Sequence, residues 1–70
     1  MEKDLLQIRD GLNDAWSILK DNYIIAPDDA VRWDTVTREC GEIARKYQLP
    51  IITGFLILIL EDIDRRSGEI

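Results

Sequence analysis

The chain contains no histidine and a single cysteine, Cys40. Without histidine, His-based zinc sites and catalytic arrangements that use imidazole as a base are excluded, and one cysteine cannot close an intramolecular disulfide. A reducing, cytoplasmic setting is therefore expected. Basic residues are also few, with nine Lys and Arg against fourteen Asp and Glu, giving a formal charge of −5 and a pI near 4.5. Broad nucleic-acid binding needs a clustered basic surplus to neutralise phosphates, and these basic residues are scattered. Glycine-rich phosphate loops and signatures of an activated nucleophile are missing as well, so no cofactor is called for.

Proline and glycine number only two and four, and no internal repeat or low-complexity tract interrupts the chain. With 46% hydrophobic and 33% charged residues the composition is that of a globular protein. Residues 1–70 are read as a single helical domain. A domain of this size buries only about 60% of its unfolded surface, so extra stability from self-association is expected. The opening segment, MEKDLLQIRD, mixes charged and apolar residues, whereas a secretion signal has a basic end followed by an apolar block.

What is present is helical periodicity. Leu5, Ile8, Leu12, Ala15 and Leu19 step by three and four, with Trp16 and Tyr23 widening the stripe, and predict a helix over 2–22. Gly11 weakens it by roughly 1 kcal/mol relative to alanine. Trp33, Val36, Cys40, Ile43 and Tyr47 repeat the pattern and predict a second helix over 29–48. Pro27 fixes φ ahead of it, Asp28 or Asp29 can cap its first amides, and Arg45 and Lys46 suit the negative end of its dipole. Leu49 is steered out of helical geometry by Pro50, which then opens a third helix over 51–66, antiparallel to the second. Gly68 offers a left-handed terminus, and Glu61–Arg65 and Asp62–Arg66 are favourable four-residue pairs.

The third segment is unusual for its apolar content. The run from Leu49 to Leu60 is twelve residues and contains Pro50, Thr53 and Gly54, well short of the roughly 20 that span a bilayer, so no membrane crossing is expected. A short strand is the competing local reading, because the run is rich in β-branched residues; the helical signals on both sides favour a helix. As a helix it is apolar on nearly every side, and two neighbouring helices can cover only part of it. The rest is expected to pack against another copy through Ile51, Phe55, Leu56, Leu58, Ile59 and Ile63. A DNA-reading helix needs polar side chains for the major groove, and residues 51–60 supply only Thr53.

The remaining question is chemistry. Glu39 and Glu42 are spaced by three on the second helix, as are Glu61 and Asp64 on the third, and convergent carboxylates could hold magnesium. ECGEI at 39–43 in this order, with EDID at 61–64, resembles the paired acidic motifs of the all-α nucleoside triphosphate pyrophosphatases of the MazG type. The resemblance implies a magnesium-dependent nucleotide hydrolase with Glu39, Glu42, Glu61 and Asp64 as metal ligands. Arg38 stands where that motif has its first glutamate, and the apolar run precedes Glu61 instead of following the second motif. A turn centred on Leu49 and Pro50 sets Glu39 opposite Leu60, in reach of Glu61, but sets Glu42 opposite Ile57 and Asp64 opposite Thr35 and Val36. The site is therefore strained within one chain.

Cys40, on the apolar stripe, reads as a core residue, and Trp16 and Trp33 as anchors of the bundle or of an interface. Tyr23, Ile24 and Ile25 read as a loop folded back over the end of the bundle. Taken together, the sequence predicts an all-α three-helix bundle, completed by homo-oligomerisation through the third helix. Its expected role is that of a small non-catalytic interaction or accessory protein, with itself or one other protein as partner. The alternatives are the magnesium-dependent hydrolase and an acidic inhibitor or antitoxin that occupies a nucleic-acid site on its target.

Overall fold

The computed structural model of the chain describes residues 2–69. Three helices follow one another: α1 (Lys3–Asp21), α2 (Ala30–Tyr47) and α3 (Pro50–Ser67). All three pack against one another, forming the expected all-α bundle, and each helix boundary lies within about one residue of its predicted position. Residues 51–60 are helical throughout, which removes the strand alternative.

The boundaries have local causes. The Asp29 side chain accepts a hydrogen bond from the Arg32 amide at 3.0 Å and caps α2. At the other end of α2, Gln48 adopts the left-handed conformation (φ 52°, ψ 37°) and its amide donates to the Ala44 carbonyl. That conformation reverses the chain for an L-residue at a cost of roughly 1–2 kcal/mol, and Pro50 follows as the first residue of α3. Gly68, expected to be left-handed, is instead right-handed (φ −68°, ψ −15°). Its amide bonds to carbonyls of the last turn of α3, so the chain tightens there without reversing.

Cross-helix contacts fix the directions. Gly11 of α1 lies against Ile52 of α3, and Tyr23, just past α1, meets Arg66 near the end of α3, so these helices run parallel. Asp14 bonds Tyr47 and Asn22 bonds Arg32, so α2 runs antiparallel to α1. The core is Ala15, Ile18, Ile25, Val36, Cys40, Ile52, Leu56, Ile59 and Ile63. The buried line of α1 is Gly11, Ala15 and Ile18, continued by Asn22, instead of the larger apolar stripe read from the sequence. Leu5 is half exposed, and Leu12 and Leu19 pack only at the margin of the core.

The reason is Gly11. A Cβ there would stand 2.6 Å from Cδ1 and 2.9 Å from Cγ1 of Ile52, which is fully buried. The missing side chain lets Ile52 seat directly on the α1 backbone, and this turns α1 so that its small residues face inward. A glycine that costs helix propensity is thereby repaid in packing.

Gly11→Ala should therefore destabilise the fold despite alanine's better propensity. Overpacking of ~2 kcal/mol set against a propensity gain of ~1 kcal/mol leaves a net loss near 1 kcal/mol, or roughly 4–8 °C in Tm. In the Ile52→Val background the same substitution should cost less, because the atom nearest the new methyl is gone. Equal losses in both backgrounds, measured by thermal circular dichroism, would show that the contact does not set the packing.

Candidate functional site

The structure divides the six residues expected at an intermolecular interface. Leu56, Ile59 and Ile63 are buried in the core of their own chain and are corrected from interface to core. With about 100° of turn per residue, they share one line with Ile52, and that line faces α1 and α2 together. Ile51, Phe55 and Leu58 remain exposed at 54%, 39% and 64%, and Ile57, not included in the expected set, is exposed at 51%.

These four residues lie on two flanks of α3. Ile51, Phe55 and Leu58 turn toward the α1 side, where parallel packing places the exposed Trp16 near the level of Ile57 and Leu58. Ile57 turns toward α2 and, with Thr53 and Leu60, forms one wall of an apolar groove of about 170 Å³. Thr37, Gly41 and Ala44 form the opposite wall, and Cys40 and Leu56 lie deepest. The groove exists because small residues on α2 leave it less closely packed on α3 than α1 is. From Ile51 to Leu60 the outer surface of α3 carries no charged residue.

Charges border this surface. Arg38 pairs with Asp34 at 3.6 Å on the solvent side of α2. The Arg45 guanidinium folds over Gly41, with Nη1 3.5 Å from where a Cβ would stand, and so lies at the rim of the groove. Among the described residues neither Arg45 nor Glu61 makes an ion pair.

The four carboxylates considered as metal ligands do not converge. No group of three or more Asp, Glu or Cys among the described residues is placed to hold a metal ion. Glu39 is half buried beside Cys40, whereas Glu42, Glu61 and Asp64 point to solvent. Apolar residues on both walls of the α2–α3 groove occupy the space where the carboxylates would have to meet. Cys40 is 4% exposed, and burial, followed by the neighbouring charge of Glu39, pushes its thiol pKa up, away from nucleophilic use.

A second cluster closes the far end of the bundle. Arg66 is 9% exposed; its Nε donates to the Tyr23 carbonyl at 2.7 Å, its Nη1 bonds Asp62, and its guanidinium lies 3.8 Å above the Tyr23 ring centre. Ser67 Oγ donates to the Ile25 carbonyl, and Ile25 is 2% exposed. The loop after α1 is thus folded back and tied to α3, while Tyr23 and Ile24 keep half their surface in solvent. Trp33 packs at the core margin and its indole donates to the Ala26 carbonyl at 3.2 Å, which secures the other side of the loop. The Asp62–Arg66 pair follows from four-residue spacing, but Arg65 pairs with Asp62 and Glu69 instead of Glu61. Burial of Arg66 left no trace in the periodicity, because a charged residue near a helix end reads as solvated.

Comparison with known proteins returns no match: no family model, no curated protein and no solved structure is similar to the chain. Among the described residues no helix is long and apolar enough to cross a membrane.

The clamp makes a pH prediction. Hydrogen bonds from Arg66, then Arg65, hold the Asp62 carboxyl below its ordinary value. A depressed pKa stabilises the fold above the unfolded value near 4 and is lost as pH falls through the folded value. The stability advantage of wild type over Asp62→Asn should therefore be full at pH 6 and shrink below about pH 4. Urea denaturation of both proteins measures this, and a difference that does not change between pH 6 and pH 2.5 would contradict it.

Proposed function

We propose that the protein is a non-catalytic interaction protein that self-associates through the outer face of α3. The observation that carries this reading is the exposure of Ile51, Phe55, Ile57 and Leu58 on one helix whose outer surface is uncharged from Ile51 to Leu60. Exposed apolar side chains scattered singly are ordinary; a contiguous set bordered by charged residues is what interaction surfaces look like. Trp16, half exposed beside the same face, extends it with the residue type most enriched at the centres of interfaces.

Size supports the same reading. A chain of 70 residues has a small core, and covering α3 in an assembly adds burial that the monomer lacks. Each exposed Leu or Ile that becomes fully buried contributes about 1.5–3 kcal/mol before the cost of association.

Sedimentation velocity between 1 and 200 µM tests it. Wild type should shift from the 8.1 kDa monomer toward an oligomer as concentration rises. Leu58→Glu should keep the helical circular dichroism, since Leu58 is 64% exposed, and should remain monomeric throughout. A wild type that stays monomeric over the whole range would end the proposal.

A further inference from the structure

Three glycines, Gly11, Gly41 and Gly54, interrupt helices of this bundle where alanine would favour the helix, and Gly41 lies under the Arg45 guanidinium, with Nη1 3.5 Å from where its Cβ would stand. Gly11 accommodates Ile52. Gly54, within α3, has nothing within 4 Å of where its Cβ would stand. It is exposed, its φ is not positive, and no side chain of its own chain covers it. A helix-interior glycine under these conditions weakens the helix without any gain in the monomer. Its neighbours along the helix include the exposed Ile51, Phe55, Ile57 and Leu58, so the missing side chain leaves open space between apolar ones.

We propose that this open space is a cup filled by Leu58 of a second copy. The two α3 helices then pack antiparallel about a two-fold axis that passes at the level of residue 56. This inference rests on self-association through α3 and assigns its geometry. In an antiparallel pair, residues equally distant from the axis meet, so Gly54 lies opposite the second copy's Leu58 and Leu58 opposite the second copy's Gly54. One knob and one cup four residues apart on the same helix face are self-complementary, which is the condition a two-fold interface must meet. Leu58 is the most exposed apolar side chain of α3, at 64%, and Gly54 has open space where a side chain would stand. Ile57, on the α2 flank, meets its own counterpart beside the axis.

The charges agree with this register. It places Glu61 opposite the second copy's Ile51, in the first turn of α3. That turn has no acidic residue, and its cap, Leu49, supplies no side-chain hydrogen bond. A carboxylate brought to an uncapped helix start is stabilised by the exposed amides and the dipole. Arg45 stands on α2 at the rim of the same flank without an ion pair, on the side from which Glu61 of the second copy approaches. A parallel arrangement would set Glu61 against its own counterpart and leave both helix starts bare.

The test exchanges knob and cup. Gly54→Leu should leave the dilute protein folded and melting no lower than wild type, since the position is open and leucine favours helix. It should nevertheless weaken dimerisation by about tenfold or more, because two leucines now collide. Leu58→Gly alone should also dimerise weakly, having lost the knob. The exchanged protein, Gly54→Leu with Leu58→Gly, should dimerise more tightly than either single variant, because each knob again faces a cup. Sedimentation and dilute thermal melts read all four proteins. If Gly54→Leu dimerises as well as wild type, or the exchange recovers nothing, this register is overturned while self-association through α3 stands, provided Leu58→Glu still dissociates the protein. A wild type that never dimerises overturns both.

Discussion

A helix that is apolar around its circumference needs more cover than two neighbours can give, and this constraint organises the molecule. α1 and α2 bury the line Ile52, Leu56, Ile59 and Ile63, leaving the flanks at Ile51, Phe55, Ile57 and Leu58 in solvent. Charged residues enter α3 only at Glu61, beyond the apolar stretch, and there the helix makes its ion pairs and ties down the loop after α1. α3 is therefore divided by chemistry. Its first part leaves apolar side chains in solvent, and its last turns close the bundle.

That closing is a balance of burial and pairing. Placing a guanidinium at 9% exposure would be costly if it stood alone. Arg66 instead has the Asp62 carboxylate, the Tyr23 carbonyl and the Tyr23 ring face around it, and only Nη2 has no partner among the described residues. Ser67 and Ile25 complete the arrangement, the first satisfying a loop carbonyl and the second filling the end of the core. A loop of eight residues between α1 and α2 would otherwise hold few apolar contacts and open readily. The clamp couples the loop to α3, so the end of the bundle opposite the apolar surface is held without help from an assembly.

Much of the fold was legible in the sequence because helices announce themselves by repetition. Periods of three and four placed all three helices, Asp28 or Asp29 and then Pro50 marked the starts of the last two, and the turn at Gln48 and Leu49 followed from Pro50. Less legible was the orientation of α1, because apolar count favours Leu12 and Leu19 while the structure turns Gly11, Ala15 and Ile18 inward. Small residues carry little hydrophobic signal, and close approach is decided by what the facing helix brings, here Ile52. The acidic motifs show a related limit: spacing on one helix says that two carboxylates share a face, not that the face meets its counterpart across the groove, and among the described residues these carboxylates form no metal-holding group. Leu56, Ile59 and Ile63 could not be separated from Phe55 and Leu58 by hydropathy alone, since inside and outside of α3 are equally apolar.

Self-association of an acidic chain raises an electrostatic objection, since pairing two chains of charge −5 brings together twice that charge. The cost depends on where the charges lie. At physiological ionic strength, interactions between exposed charges fade beyond about 8 Å. The surface of α3 from Ile51 to Leu60 carries none, and several of the acids elsewhere are already paired, Asp10 with Arg9, Asp14 with Lys46, Asp34 with Arg38 and Asp62 with Arg65 and Arg66. On the proposed reading, repulsion between two copies is left to residues at the margins of α3, Glu61 among them. Under the same proposal, net charge disfavours approach of charged faces, and the stretch of α3 from Ile51 to Leu60 carries none of it. If α3 is the contact surface proposed above, the acidic composition and the apolar helix act together, the first discouraging contact where charge lies and the second offering a face without it.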